Sequence, residues 1–270
     1  MKILFLGDIV GRSGRDAVVE QVPELRKKLG LDFVVANGEN AAGGFGITGK
    51  ICQSVYGAGV DVITTGNHVW DQREIIPYID GDPRLLRPQN FPKGTPGKGM
   101  GVYKTLDGRT VVVMHVMLRL FMDPLDDPFA CVDTMLSSHQ LGRTAHAILL
   151  DLHGEASSEK QAMAYHCDGR VSLVVGTHTH VPTADARILP KGTGYLTDLG
   201  MCGDYHSVIG MQHEGSVYRF TRKLPTERLA PADGEATLCG VVVETDDATG
   251  RAKRVSPLRL GGILEPAMPA

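Results

Sequence analysis

The sequence has few features of a disulfide framework, a membrane span or a duplex-binding surface. Its five cysteines are scattered without a C-x-x-C pair, which argues against a disulfide framework or a structural zinc knuckle. No apolar run is long enough to span a membrane. The first apolar stretch meets Asp8 without a cleavage site of small residues, so it predicts a strand instead of a signal peptide. We expect a cytoplasmic protein with no membrane partner.

The sequence also has little excess of charge of either sign. The net charge of -3 and the pI near 6.4 disfavour duplex DNA as a partner, although a single basic patch can be hidden in such an average. In contrast, 42% of the 270 residues are hydrophobic, which is enough for a full core. We expect one domain over residues 1–270, with a loose tail at 265–270.

Apolar runs and helix-like segments alternate along the first part of the chain. Runs at 3–7, 32–37 and 61–66 are separated by segments at 14–30 and 48–59, each of which ends in glycine as helices often do. This β-α-β-α-β series favours a parallel sheet. A hairpin signal at Asp107-Gly108 and a strand-rich C-terminal third add antiparallel pairs. The fold class expected is therefore mixed α/β, with helices near 128–140 and at 157–166.

Polar side chains gather where the predicted strands end. They are Asp8, Glu39, Asn40, Asn67, His68, His153, His178 and His180. Each alone has an ordinary structural explanation as a helix cap, a turn residue or a hydrogen-bonded loop residue. However, the carboxyl ends of parallel strands lie on one edge, where ligands bind. Residues two apart on an extended segment also share a face, so His178 and His180 are expected to approach one centre and hold a metal.

The types of these side chains indicate the kind of metal site. Carboxylate, carboxamide and imidazole groups without a thiolate suit Mn, Fe or Zn in a hydrolytic site better than a structural zinc. The set is too large for one tetrahedral ion. Two ions that share a bridging carboxylate, about 3.5 to 4 Å apart, fit it better and are common in phosphoryl chemistry.

Five motifs carry a resemblance to a known family. "GDIVG", "NGEN", "GNHVWD", "DLHGEASSEK" and "GTHTHVPTAD" stand in the order and approximate spacing of the calcineurin-like metallophosphoesterases. The sequence most resembles the bacterial YmdB-type family of 2',3'-cyclic nucleotide 2'-phosphodiesterases. "FMDPLDDPF" and "TDLGMCGDYHSVIGM" extend the resemblance over nearly the whole chain. It implies a sandwich of two mixed β-sheets flanked by helices.

The resemblance also implies a ligand set. The usual D-x-H opening is here Asp8-Ile9-Val10, and the usual bridging Asp is Glu39, two departures that the YmdB-type family shares. By this similarity one ion is held by Asp8, Glu39, Asn40 and His180. The other is held by Glu39, Asn67, His153 and His178. His68 holds neither ion and is placed to stabilise the transition state or to protonate the leaving oxygen.

The function expected is hydrolysis of 2',3'-cyclic or 3',5'-cyclic nucleotides. Two Fe or Mn ions, or Zn, would lower the pKa of a bridging water so that hydroxide attacks the phosphodiester. Two alternatives remain: a nucleotide-binding regulator with incidental hydrolysis, and a metal-dependent amide or ester hydrolase. A homo-oligomer is compatible with each. The residues that bind the substrate are not identified.

Several other segments have no assigned role. "GFGITGK" matches the spacing of an NTPase phosphate loop, but Ile51 stands where Ser or Thr belongs, so that function is disfavoured. The glycines of the 43–46 loop either form an ordinary turn or let the backbone approach a ligand. His115 is either a buried hydrogen-bonded residue or part of the site, and Trp70 either packs or stacks on a base. The role of His206 is open.

Overall fold

The computed structural model describes residues 1–269, which form two β-sheets and six helices. The strands are β1 (Lys2–Val10), β2 (Phe33–Asn40), β3 (Val62–Thr64), β4 (Leu85–Leu86), β5 (Met100–Lys104), β6 (Thr110–Met117), β7 (Ala147–His153), β8 (Leu173–Thr177), β9 (Arg187–Ile188), β10 (Gly194–Leu196), β11 (Met201–Asp204), β12 (Ala236–Thr245) and β13 (Ala252–Leu260). The helices are α1 (Gly11–Leu29), α2 (Gly49–Gly57), α3 (Ile75–Ile79), α4 (Pro128–Ser137), α5 (Ser157–His166) and α6 (His213–Arg222).

Both sheets mix parallel and antiparallel pairs. The seven-stranded sheet has the order β13-β12-β11-β1-β2-β3-β4, and its strands from β11 to β4 run parallel. The six-stranded sheet has the order β5-β6-β7-β8-β10-β9, with a parallel centre from β6 to β10. The hairpin predicted at Asp107-Gly108 joins β5 to β6 in antiparallel register. The prediction of a mixed α/β fold with two mixed sheets is therefore confirmed.

The sheets pack face to face between two layers of helices. Phe5, Val35, Val113 and Leu149 belong to the buried cluster between the sheets. Because side chains alternate along a strand, the neighbours of these residues point the other way. Apolar residues of α1 and α2 cover the outer face of the seven-stranded sheet, and those of α4 and α5 cover the outer face of the six-stranded sheet. The core shared by the sheets supports the proposal of one domain.

Two elements of the last third differ from the sequence-based expectation. β11 and α6 were not predicted, and α6 buries only Ser216 while its apolar residues Val217, Tyr218 and Phe220 are exposed. Ala267 exchanges both backbone hydrogen bonds with Arg259 of β13, so the segment expected to be a loose tail is tied to the sheet there.

Within residues 1–269, no helix has the length and apolar character needed to cross a bilayer.

Candidate metal centre

The predicted ligands come from the carboxyl ends of strands in both sheets. The seven-stranded sheet supplies the oxygen donors, with Asp8 on β1, Glu39 and Asn40 at the end of β2, and Asn67 just after β3. The six-stranded sheet supplies imidazoles, with His153 at the end of β7 and His178 and His180 just after β8. The donors expected at one sheet edge therefore lie at adjacent edges of the two sheets.

A shared carboxylate joins two groups of donors. Ligand atoms of Glu39, His153 and His178 lie within 4.8 Å of one another, and so do those of Asp8, Glu39 and His180. Glu39 belongs to both groups and is 1% exposed. A carboxylate in this position can bridge two cations.

The two amide side chains complete these groups. The Oδ1 of Asn67 lies 2.9 Å from Nε2 of His153, and the Oδ1 of Asn40 lies 3.2 Å from Nε2 of His180. The amide nitrogen of Asn40 donates to the Gly44 carbonyl at 3.0 Å, which aims its oxygen at the site. Each group thus contains the residues that the resemblance assigned to one ion.

The hydrogen bonds of His180 show which ring nitrogen faces the site. Its Nδ1 lies 2.7 Å from the Ile209 carbonyl, which only accepts, so Nδ1 carries a proton. In the neutral ring, Nε2 then has a lone pair that faces another acceptor, Oδ1 of Asn40. Burial lowers the pKa of His180 and favours this neutral ring. His180 Nε2 and Asn40 Oδ1 are therefore two acceptors that would both suit a cation as ligands.

His153 is oriented in the same way from the other side. The Thr177 hydroxyl donates to Asp151 at 2.8 Å, so it accepts from Nδ1 of His153 at 2.9 Å. The Nε2 of His153 therefore faces Glu39 Oε1 at 3.1 Å and the Asn67 oxygen. Such a partner behind a histidine sets its tautomer and strengthens it as a ligand.

Asp8 and Gly66 also fit a cation. Asp8 is fully buried, and its Oδ1 has no hydrogen-bond partner, whereas Oδ2 accepts from the His178 backbone at 3.1 Å. A Cβ at Gly66 would lie 2.2 Å from Glu39 Oε2 and 2.3 Å from His153 Nε2, so only glycine leaves the centre open. The donor set therefore fits two cations that accept oxygen and nitrogen ligands.

Burial shifts the pKa values of the side chains at the centre when no cation is bound. Burial raises the pKa of Asp8 well above its ordinary value, and the neighbouring Glu39 adds to the effect. Burial opposes ionisation of Glu39 too, but His153 beside it holds its pKa far below the usual range. Burial, with the nearby His153, lowers the pKa of His178 to about 3. Bound cations would stabilise the charged carboxylates and the neutral imidazoles together.

The loop that carries His178 and His180 is not an extended segment. β8 ends at Thr177, and both histidines have positive φ angles, 102° and 65°. They therefore reach different donor groups, and the expectation that both face one centre through strand geometry is wrong. Positive φ is costly for residues other than glycine, so the surrounding structure must hold this loop.

A buried ion pair supports this loop from below. The Lys160 ammonium is fully buried and donates to the Thr177 carbonyl at 2.9 Å and to Asp198 Oδ2 at 2.8 Å. The Thr179 backbone donates to the same carboxylate oxygen at 3.2 Å. The sequence analysis gave these supporting residues no role, since only the fold brings them under the loop.

His68 lies beside the bridging carboxylate without joining either donor group. Its backbone N–H donates to Glu39 Oε2 at 3.1 Å, and its Nδ1 donates to Asp71 Oδ2 at 2.8 Å. The ring lines a cavity of about 410 Å³ that also contains Glu39 and the His178–His180 loop. The Asp71 carboxylate orients the ring by accepting from its Nδ1–H, and a general acid needs such a fixed orientation toward its substrate.

The rest of the cavity wall was not predicted. Phe45 contacts His68 edge to face, with ring centroids 5.2 Å apart, and Arg219, Phe220 and Lys223 line the cavity from α6 and its C-terminal cap. The loop at 43–46 therefore lies at the site. Gly44 and Gly46 have positive φ, and a Cβ at Gly46 would come within 2.9 Å of Gln72.

The residues whose roles were open mostly lie outside this cavity. Trp70 packs on the core beneath α1 and α2 with Phe91, ring centroids 6.0 Å apart. His115 is fully buried behind His153, with Nδ1 3.4 Å from Asp151 Oδ2. His206 is exposed, and its backbone donates to Asp204. Trp70 and His115 thus have packing and hydrogen-bonding roles.

Comparison with known proteins gives whole-chain matches. The family described as "YmdB-like protein" matches residues 4–258. The 2',3'-cyclic-nucleotide 2'-phosphodiesterase of Bacillus subtilis (strain 168) is 49% identical over 255 residues, 94% of this chain and 95% of that protein. A hypothetical protein from Thermus thermophilus superimposes with a TM-score of 0.90 and 41% identity over 97% of this chain and 100% of its own. A novel phosphatase of Mycoplasma pneumoniae superimposes with a TM-score of 0.88 and 32% identity, over 97% of this chain and 93% of its own.

Proposed function

The chain belongs to the YmdB-like family, and on that premise we propose that it is a metal-dependent phosphodiesterase of cyclic nucleotides. We propose 2',3'-cyclic nucleotides as substrates, with 3',5'-cyclic nucleotides as a second class for the same site. The observation that carries the proposal is the position of Glu39 in both donor groups. That arrangement suits a pair of cations acting on one phosphate.

We assign seven side chains to two transition-metal ions, Fe or Mn before Zn. Asp8, Asn40 and His180 would hold one ion, Asn67, His153 and His178 the other, and Glu39 both. When bound, such ions make a water nucleophilic at neutral pH and neutralise the nonbridging phosphate oxygens. The unpaired Oδ1 of Asp8, the lone pair of His180 that faces Asn40, and the His153 Nε2 that faces Glu39 support this assignment.

His68 is the proposed proton donor. The reaction adds the elements of water across one P–O bond of the cyclic phosphate, so the departing ribose oxygen needs a proton. The Asp71 carboxylate holds the His68 ring, and the ring lines the cavity next to Glu39. A proton delivered from His68 to the leaving oxygen leaves a nucleoside monoester as the product.

The experiment combines metal analysis with hydrolysis of 2',3'-cAMP by wild type, His68→Ala and Glu39→Ala. We expect about two ions per chain in wild type. Loss of a general acid is expected to cost about 10²–10⁴-fold in kcat while both ions stay bound. Glu39→Ala is expected to lose metal and activity together, because both donor groups contain Glu39.

Two results would contradict the proposal. Metal-loaded wild type that binds nucleotides but leaves phosphodiesters intact would favour a nucleotide-binding regulator. Cleavage of amide or carboxylic ester substrates in preference to phosphodiesters would favour the other hydrolase class. An exposed acid on α1, Glu20, provides the matched control, since Glu20→Gln should change neither metal content nor turnover.

The cytoplasm is the compartment we propose. All five cysteines are free. Burial raises the pKa of Cys202, whose thiol lies against the Cys239 carbonyl, so this thiol is protonated and unreactive. Free thiols of this kind are compatible with a reducing environment.

A further inference from the structure

The cavity beside the metal centre has a basic wall on one segment. Residues 213–228 contain the basic side chains Arg219, Arg222, Lys223 and Arg228 against the acidic Glu214 and Glu227, in a chain whose net charge is -3. Among residues 1–269, none of those four basic side chains forms a salt bridge. The segment is therefore a local basic patch without ion-pair partners among these residues, in which Lys223 and Arg228 lie over aromatic rings.

Two of these side chains line the cavity itself. Arg219 lies in the last turn of α6 and Lys223 is the C-terminal cap of that helix, and both line the cavity that contains Glu39 and His68. A scissile phosphodiester carries a single negative charge, which the proposed cations would already neutralise. Arg219 and Lys223 thus offer positive charge beyond what that phosphate requires.

The structure assigns this wall to a second phosphate group on the substrate. The inference rests on the proposed function and specifies its substrate class: a nucleotide that ends in a 2',3'-cyclic phosphate and carries another phosphate on its 5' side. Arg219 binds that phosphate through its planar donors and Lys223 as a point charge. The second phosphate is either a 5'-monophosphate or the phosphodiester that precedes the terminal nucleotide of an RNA.

Aromatic side chains line the space between the two charged regions. Phe45 lies beside His68, and Phe220 lies on the same helix as Arg219. The Phe45 loop is tied to the metal centre, because Asn40 holds the Gly44 carbonyl and Gln72 holds the Phe45 carbonyl at 2.7 Å. Aromatic faces bind nucleobases by stacking without strong sequence preference. Lys223 lies over the Phe220 ring at 5.9 Å and Arg228 over the Phe45 ring at 5.1 Å, so a nucleoside that packs beside these rings would also lie next to the basic side chains.

A structural explanation of the basic residues must be separated from this one. Cations near a helix C-terminus stabilise the helix through its dipole, and Arg219, Arg222 and Lys223 all lie at the end of α6. Arg222 is the matched control, because it shares that position without lining the cavity. A helix-stabilising role predicts similar effects for Arg219 and Arg222, whereas a phosphate site predicts an effect only for residues in the cavity.

The experiment measures kcat/KM on three substrates that end in the same group. They are adenosine 2',3'-cyclic phosphate, its 5'-phosphorylated form, and a diadenosine RNA with a 2',3'-cyclic end. Wild type should prefer the second or third substrate over the first by about ten-fold or more. The double variant Arg219→Gln/Lys223→Gln should lose the preference, because its kcat/KM on the second and third substrates should fall toward its value on the first. Arg222→Gln should keep the preference.

Each outcome decides the inference separately from the proposed function. Equal turnover of all three substrates by wild type, or equal losses on all three in the double variant, would overturn the second-phosphate site and leave the phosphodiesterase proposal standing. Absence of turnover on every substrate would overturn the phosphodiesterase proposal. In that case calorimetry with adenosine 3',5'-bisphosphate and 3'-AMP still decides, since only the bisphosphate should bind more weakly to the double variant than to Arg222→Gln.

Discussion

The two halves of the candidate metal centre differ in the chemistry of their side chains and in what holds them in place. Asp8, Glu39 and Asn40 bring oxygen donors on strands of the seven-stranded sheet, where backbone ladders hold them. His178 and His180 bring imidazoles on a loop beyond β8 with positive φ angles. The oxygen half is therefore placed by the sheet itself, whereas much of the nitrogen half depends on other side chains.

This difference assigns separate tasks to the halves. The buried carboxylates supply the negative charge that attracts cations, and they are unfavourable in a metal-free chain. The histidines have partners such as Thr177 and the Ile209 carbonyl that select the ring nitrogen facing the site. The carboxylate half should therefore be sensitive to loss of charge, and the histidine half to loss of the groups that orient the rings.

The largest effect is expected in the oxygen half, from Asp8→Asn. Removal of this charge should cost at least about 10³-fold in kcat/KM, more than the 10–100-fold typical of residues behind a ligand. Retained metal should fall from two ions per chain toward one. The metal-free chain should become more stable, by about 1–3 kcal/mol, because a buried charge with an unpartnered oxygen disappears.

Metal analysis, steady-state kinetics and urea unfolding of the metal-free chain check this prediction. The exposed Asp16 on α1 provides the control, and Asp16→Asn should leave all three quantities unchanged. A destabilised metal-free Asp8→Asn protein would show that the carboxylate serves the fold instead of the metal.

In the nitrogen half, a large effect is expected from Lys160→Met, which removes the buried cation beneath the His178–His180 loop. This change leaves Asp198 buried without its cation and is expected to reduce the free energy of unfolding by about 3–5 kcal/mol. Lys160→Met/Asp198→Asn should recover part of the loss, since no unpaired charge remains. The exposed pair of Lys27 and Glu24 is the comparison, and Lys27→Met should cost less than about 1 kcal/mol. Equal losses in urea unfolding for both lysines would contradict the role of the buried pair.

A smaller effect is expected from Thr177→Val, which removes the acceptor behind His153. The ring then loses its preferred tautomer, and metal affinity should fall by about 10–100-fold. Thr177→Ser keeps the hydroxyl and should keep the affinity within a few-fold. Competition with a chelator measures both variants, and an unchanged affinity in the valine variant would show that His153 is oriented without Thr177.

The last effect concerns only the metal-free chain, whose stability becomes pH-dependent through His178. Its folded pKa of about 3 lies below the ordinary value near 6.5, so the unfolded chain takes up the proton first as pH falls. Its contribution to stability is full above pH 6.5 and is lost between 6.5 and 3, by at most about 1.4 kcal/mol per pH unit.

Urea unfolding at several pH values, compared with His178→Gln, isolates this slope. The variant should depend less on pH than wild type over that window. His206→Gln, at an exposed histidine, should behave as wild type does. Parallel pH profiles for wild type and His178→Gln would contradict the buried neutral ring.

Part of the site was predictable because local rules place it. The apolar runs before Asp8, Glu39 and His153 predicted strands, and polar residues at strand ends predicted a ligand site. The reason given for the pair of histidines after β8 was wrong, since positive φ angles cannot be inferred from an apolar run. Lys160 was also missed, because a lysine in a predicted helix is expected to be solvated until the fold buries it.

The wall of the cavity was not predictable for another reason. α6 buries only Ser216 and exposes Val217, Tyr218 and Phe220, so the side chains that face the cavity depend on where the helix lies in the fold. Phe45 lay in a glycine-rich loop with no assigned role, and its contact with His68 joins residues of separate loops. Such contacts depend on where the loops meet in space.

The sequence by itself determined the strand and helix alternation, the mixed α/β class and the candidate donors at the strand ends, because these follow from the periodicity and chemistry of neighbouring residues. Only the tertiary structure decided that Lys160 and Thr177 support the histidines and that a basic helix lines the cavity. The physical reason is that these relations form across two packed sheets, between residues far apart in the chain.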